Sequence, residues 1–257
     1  MRIKFHLKLL ALFLFLIGIT FAEENSKETI FSWRKIENKS FTIGEKLLFA
    51  IKWGIIPAGH ATLEIPEVIE INQRQAYRIV SHAWSNSLFD IFYKVRDRNE
   101  SWLDVESLCS LGYEKHLREG GYIKDEKALF DQEKSIALIE GESTQIPISS
   151  FVHDVLSGLY FMRTQDLKLG ETYSIDVNSD RKNWPLVVKV LNRKEIKVSS
   201  GKFDCWLIEP FLREEGIFQH RGRILIWLTA DEKKMPVLLQ TKIPLGSINA
   251  ELIEIKN

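Results

Sequence analysis

The sequence predicts a mainly β fold: large antiparallel sheet, curved into a half-barrel or stacked as a sandwich, with one helix near residues 154–167 packed against it. Three observations carry that reading. Apolar and polar residues alternate with a period of two along most of the chain. Glycine and proline turns punctuate the alternating runs. A single stretch, starting at Phe151, spaces its apolar residues as a helix does.

The elements follow in order. "MRIKFHLKLLALFLFLIGITFAEEN" begins with Arg2, Lys4 and Lys8 and continues as an apolar run from Leu9 to Phe21. A comfortable membrane span needs about 20 residues, so this run is short for one. Thr20 and Ala22 give a small-x-small ending before Glu23, the pattern of a signal peptide over residues 1–22. No cysteine stands at that point for lipoprotein acylation. Residues 23–43 read as a polar leader, and residues 44–257 as a single β-rich domain. In "AGHATLEIP", Ala61, Leu63 and Ile65 share one face and Thr62 and Glu64 the other, a half-buried strand. "QAYRIVSHAW", "FYKVRDRNESWLD", "SLGYEKHLREG" and "GYIKDEKALFDQ" read as further strands. So do "TYSIDVNSD", "WPLVVKVLNRKEIKVSSGKF" and "DCWLIEPFLR". In "RILIWLT" both faces are apolar, which predicts a central strand.

"FVHDVLSGLYFMR" breaks the pattern. Val152, Val155, Leu156, Leu159 and Tyr160 recur at helical spacing, with Asp154 placed to cap the N-terminus. His153, Asp154 and Ser157 suggest a catalytic set, but all three fall on one helical turn, where a Ser–His–Asp geometry rarely fits. Ser157 is explained by capping, and Gly158 predicts a close approach by a strand.

Composition excludes several function classes. The chain has 257 residues and zero net charge. Loss of residues 1–22 removes three basic side chains and no acidic one, which leaves −3. A mildly acidic chain of mixed sign lacks the basic patch that neutralises phosphates, so no nucleic-acid partner is expected. No stable membrane insertion is expected once the first segment is cleaved. "GIIPAGHA" has the glycine spacing of a phosphate loop without its lysine, and reads as a hairpin turn. "DVNSDR" lacks the glycine and glutamate of a calcium loop. Histidines 60, 82, 116, 153 and 220 are scattered, and no metal or other cofactor is predicted. Cys109 and Cys205 are compatible with one disulfide or with buried thiols. Seven tryptophans stand out; Trp206 and Trp227 read most simply as core, and Trp53, Trp84, Trp102 and Trp184 read first as core too, with some of these four able to line an apolar or sugar-binding groove.

In sequence order, "GEKLLFAIKWGIIPAGHATLEI", "VRDRNESWLD", "HDVLSGLYFMR", "GKFDCWLIEP" and "GRILIWLTADEKKMPV" resemble the bacterial exported proteins grouped as domain of unknown function 3108. The resemblance covers roughly residues 44–255 and implies a β-rich envelope protein, with no activity or cofactor attached. It marks Asp154, Ser157, Tyr160, Arg163, Trp227, Thr229, Asp231 and Pro236 as recurring motif positions, none of them assigned to catalysis. That family commonly carries an arginine before the proline, where this chain has Lys234-Met235-Pro236. The expected function is that of a non-enzymatic periplasmic protein that binds an apolar or amphipathic envelope component, a lipid or glycan, or a partner protein. The alternatives are an envelope hydrolase acting on glycan or ester, and a structural module of an envelope assembly.

Overall fold

The computed structural model of the protein describes residues 31–212, 223–243 and 246–256. The proposed signal peptide and His220 lie outside them. Among the described residues fourteen strands form one antiparallel sheet, with order β8-β7-β6-β5-β4-β3-β2-β1-β14-β13-β12-β11-β10-β9. Two meanders are thus sewn together where β1 (Lys46–Trp53) pairs with β14 (Gly246–Lys256). The first meander continues through β2 (Ile56–Ile71), β3 (Arg74–Ser85), β4 (Arg96–Asp104), β5 (Ser110–Glu119), β6 (Tyr122–Asp131), β7 (Ile136–Ile139) and β8 (Gln145–Pro147). The second comprises β9 (Thr172–Ser179), β10 (Lys182–Val198), β11 (Gly201–Leu212), β12 (Ile224–Thr229) and β13 (Pro236–Ile243), and ends in β14. One continuous sheet selects the half-barrel over the sandwich. As expected of a central strand, β12 buries Ile226 and Leu228 together with the intervening Trp227.

The sheet is open between β8 and β9, but the gap is spanned. Val152 accepts from Ser110 of β5, and His153 forms a parallel bridge with Val177 of β9. Asn183 donates to the Pro147 carbonyl at 2.7 Å, and Lys124 pairs with Asp180 at 2.7 Å. Backbone groups at a sheet edge must find partners, and here the crossing chain supplies them.

Two helices accompany the sheet among the described residues. α1 (Ser87–Asp90) is a single turn, and α2 (Val155–Arg163) is the expected helix, ending four residues before 167. α2 meets three apolar clusters. Leu156 and Leu159 pack with Leu47, Phe49 and Leu63. Met162 packs with Ile175, Val177 and Ile208. Tyr160 packs with Phe41, Ile65 and Ile79. A helix enclosed on several sides needs apolar residues nearly all round, as "VLSGLYFMR" has. Val155, expected to be buried, is exposed instead, because its side of the first turn faces away from these clusters.

Two expectations need correction, and one open reading is decided. The leader was expected to run to residue 43, outside the domain, yet the compact unit starts at Ser32. Phe41 and Ser40 are buried, and Arg74 lies over the Trp33 ring. Short range polarity hid these anchors. The strand expected from Phe92 starts only at Arg96, because α1 and its following turn occupy the preceding residues. Cys109 and Cys205 are both free and buried, each in its own surroundings. Burial pushes the Cys109 thiol up to about 11 and that of Cys205 up to about 12.

Candidate functional site

The motif positions fold into a buried polar frame around α2. Asp154 is the N-cap: its Oδ1 accepts from the N–H groups of Leu156 at 2.9 Å and Ser157 at 3.1 Å. Ser157 returns the bond by accepting from the Asp154 N–H at 2.9 Å, which completes a capping box. Oδ2 accepts from Ser101 at 2.5 Å and Ser110 at 2.7 Å, so one carboxylate ties the helix to β4 and β5. His153 is fully buried, and its ring lies 4.6 Å from that of Phe161. Burial lowers its pKa to about 3, with the Arg34 charge adding to the effect. Its Nδ1 has no hydrogen-bond partner. His153, Asp154 and Ser157 are therefore adjacent, but the serine hydroxyl is engaged in the cap and faces no solvent.

Arg163 links the two halves of the motif. Its guanidinium is fully buried and grips Glu45 with two bonds of 2.7 Å. It also donates to the carbonyls of Ser40 at 3.0 Å and Lys233 at 3.2 Å. Lys233 lies in the β12–β13 turn, which the other motif residues shape. Thr229 donates to Asp231 at 2.5 Å and accepts from the Met235 N–H at 2.9 Å, and Pro236 opens β13. Met235 is buried among apolar side chains, so the position before the proline needs no guanidinium here. Trp227 donates to Gln240 at 3.3 Å from within the core. Tyr160 is buried, with Arg163 4.8 Å from its ring centroid, and burial pushes its phenol up.

A groove of about 300 Å³ lies elsewhere, where β1 and β3 end and β2 begins. Its walls include Ile51, Trp53, Phe89, Tyr93, Val95 and Ile248, with Ser85 and Glu119 as polar members. Asn86 caps α1 by accepting from Phe89 at 2.9 Å, and donates to the Pro57 carbonyl at 2.7 Å, which holds α1 beside β2. Asp90 accepts from Ser85 and forms a two-bond pair with Arg96, and those bonds hold its pKa below the usual carboxylate range. Phe89 meets Trp53 edge-on at 6.1 Å. Gly59 lines the floor, where a Cβ would stand 2.1 Å from the Trp84 carbonyl oxygen, so only glycine lets β2 lie so close to β3.

Of the tryptophans, which read first as core, Trp53 and Trp84 line the groove, and Phe89, Tyr93 and Glu119 beside them carry no reading from the sequence. Their signal is "NSLFDIFYK", an apolar run that keeps neither strand alternation nor strand length. "DVNSDR" ends β9: Asn178 donates to Asn183, and Asp180 pairs with Lys115 and Lys124. No three His, Cys, Asp or Glu side chains converge as a metal site among the described residues.

A family model described as "Protein of unknown function (DUF3108)" matches residues 48–253, more than half of the chain. The chain belongs to this family. No curated protein matches the DUF3108 chain in sequence. Among solved structures it is similar to a beta-barrel-like protein of domain of unknown function DUF1849 from Brucella abortus. The two share 9% identity at a TM-score of 0.54, over 83% of this chain and 97% of that one. A protein with a YmcC-like fold from Bacteroides fragilis NCTC 9343 matches at 10% identity and a TM-score of 0.32, over 88% of this chain and 100% of that one. The first likeness supports a beta-barrel-like fold for the DUF3108 domain and nothing finer. No helix among its described residues is long and apolar enough to cross a membrane.

Proposed function

We propose that the protein is exported to the periplasm and binds an apolar or amphipathic envelope component without transforming it. The observation that carries this reading is the groove of about 300 Å³, walled by Ile51, Trp53, Phe89, Tyr93, Val95 and Ile248. That volume is at the lower end for small-molecule sites, and a mostly apolar wall with a few polar groups is their usual composition. Export rests on the basic, apolar and small-x-small order of residues 1–22.

The hydrolase alternative needs two carboxylates or a serine–histidine pair in a cleft. The groove offers the single carboxylate of Glu119, no histidine, and in Ser85 a hydroxyl already bonded to Asp90. In the motif, Asp154, Ser157, Arg163 and Thr229 spend their polar groups on bonds within the fold.

Native mass spectrometry of protein taken from its own periplasm tests the reading. A co-purifying lipid or amphiphile is the expected result. A fluorescent fatty acid should also bind, and Ile248→Trp, a groove-lining and partly exposed position, should weaken that binding about tenfold by filling the space. Ligand-free protein that also ignores the fatty acid would overturn it.

A further inference from the structure

Around the groove mouth, three connections present bare apolar side chains. The β1–β2 turn carries Ile55 and Ile56, the α1 segment carries Leu88, Ile91 and Phe92, and the β5–β6 turn leads into Ile123. Ile55 is 93% exposed, Phe92 86% and Ile91 73%, values that deny them any part in the core. The three connections form one surface. Trp53 meets Phe89, the Lys94 carbonyl accepts from Gly120 at 2.7 Å, and Val95 bridges Glu119. Gly120 is forced by this contact, since a Cβ there would come within 2.8 Å of the Tyr93 ring. Scattered exposed apolar residues are ordinary, but a contiguous group on three connections marks an interaction surface.

We propose that this end of the sheet, through Ile55, Ile56, Leu88, Ile91, Phe92 and Ile123, docks on the surface of a phospholipid bilayer. Composition favours lipid over a protein partner. On each connection the exposed aliphatic residues have an aromatic residue and a lysine as close chain neighbours: Trp53 with Lys52, Tyr93 with Lys94, Tyr122 with Lys124. Aromatic rings at headgroup depth, and lysines reaching from an apolar layer to phosphate, are the arrangement of interfacial anchors. Charge agrees with it. Within residues 53–56, 88–93 and 119–123 the acidic side chains are Asp90, which Arg96 and Ser85 hold, and Glu119, which lines the groove. Lys52 and Lys124 are shared with Glu251 and Asp180, so apolar insertion drives the docking and bulk charge does not. Nothing here spans the membrane. The docking extends the groove reading to the surface around it, but does not depend on a ligand in the groove.

Co-flotation of the exported, processed protein with phosphatidylcholine vesicles containing a minor fraction of phosphatidylglycerol tests it. The wild type should float, and should still do so in high salt. Ile91→Asp with Phe92→Asp should lower the partition coefficient about tenfold or more. Ile255→Asp, at a partly exposed apolar position at the far end of β14, should leave it unchanged. All variants share one N-terminus, so its contribution cancels. Leu88→Asp provides a second readout on the same tip. Ile248→Trp should float normally while losing the fatty acid, and the double variant should keep the fatty acid while losing the vesicles, so the two readings fail separately. A wild type that stays in solution, a double variant that floats equally well, or flotation abolished by salt alone would overturn the docking. So would a wild type that ignores vesicles yet self-associates through Phe92.

Discussion

The Arg163 frame and the groove end use the same kinds of residue in opposite ways. Arg163 and Glu45 are buried and matched: one guanidinium serves a carboxylate and two carbonyls, and joins α2, the chain before β1, and the β12–β13 turn. At the groove end, isoleucine, leucine and phenylalanine stand in water. A buried charge without its partner is costly, so the first region is fixed by the need to fold. The second region gains nothing for the fold from its exposure. The eight recurring motif positions thus serve the fold, and the surface proposed for docking lies outside those eight.

Substitutions should separate the two regions by stability, and the largest effect belongs to the frame. Arg163→Met leaves Glu45 buried and unpaired, and should cost about 3–5 kcal/mol in urea denaturation. Glu45→Gln with Arg163→Met should recover part of that loss, because the stranded charge is gone. Asp154→Ala removes a cap and strands the hydroxyls of Ser101 and Ser110, for about 2–4 kcal/mol by the same measurement.

Acid should loosen the same region. His153 is held to about 3 in the folded protein, below the usual histidine value of about 6.5. The unfolded chain therefore takes up a proton near pH 6.5 that the folded chain refuses. Stability from this site is complete above that pH and is lost as pH falls toward 3. His116 shifts the other way, drawn up by its bonds to Asp125 and Glu114, and opposes the effect slightly from an exposed position. The urea midpoint should drop between pH 7 and pH 5, and His153→Phe should flatten that drop. The smallest effect belongs to the groove end: Phe92→Asp should shift stability by no more than about 0.5 kcal/mol. A large loss there would erase the contrast between the regions.

Much of the fold was legible from local pattern. Alternation located β2, a run apolar on both faces located β12, and Asp154, Ser157 and the apolar spacing behind them located α2 with its cap. The capping box was readable because its two partners lie three residues apart. The groove was not readable: Trp53 and Trp84 stood out by residue type, but nothing local separates a tryptophan of a groove wall from one of the core. Phe89 and Tyr93 were missed because α1 has a single turn, too short for a period to show. Glu45 was missed because its partner lies 118 residues away and no local rule pairs them.

The sequence by itself determined the strands, the capped helix, the charge balance that disfavours nucleic acid, and the family. These depend on neighbours along the chain, where side-chain period and hydrogen-bond reach are set by backbone geometry. The tertiary structure alone decided that one sheet of fourteen strands curls around α2 in place of two stacked sheets. It alone joined Arg163 to Glu45 and Lys233, and gathered three separate connections into one apolar surface. Such meetings depend on register and curvature summed over many strands, and no short stretch of sequence encodes that sum.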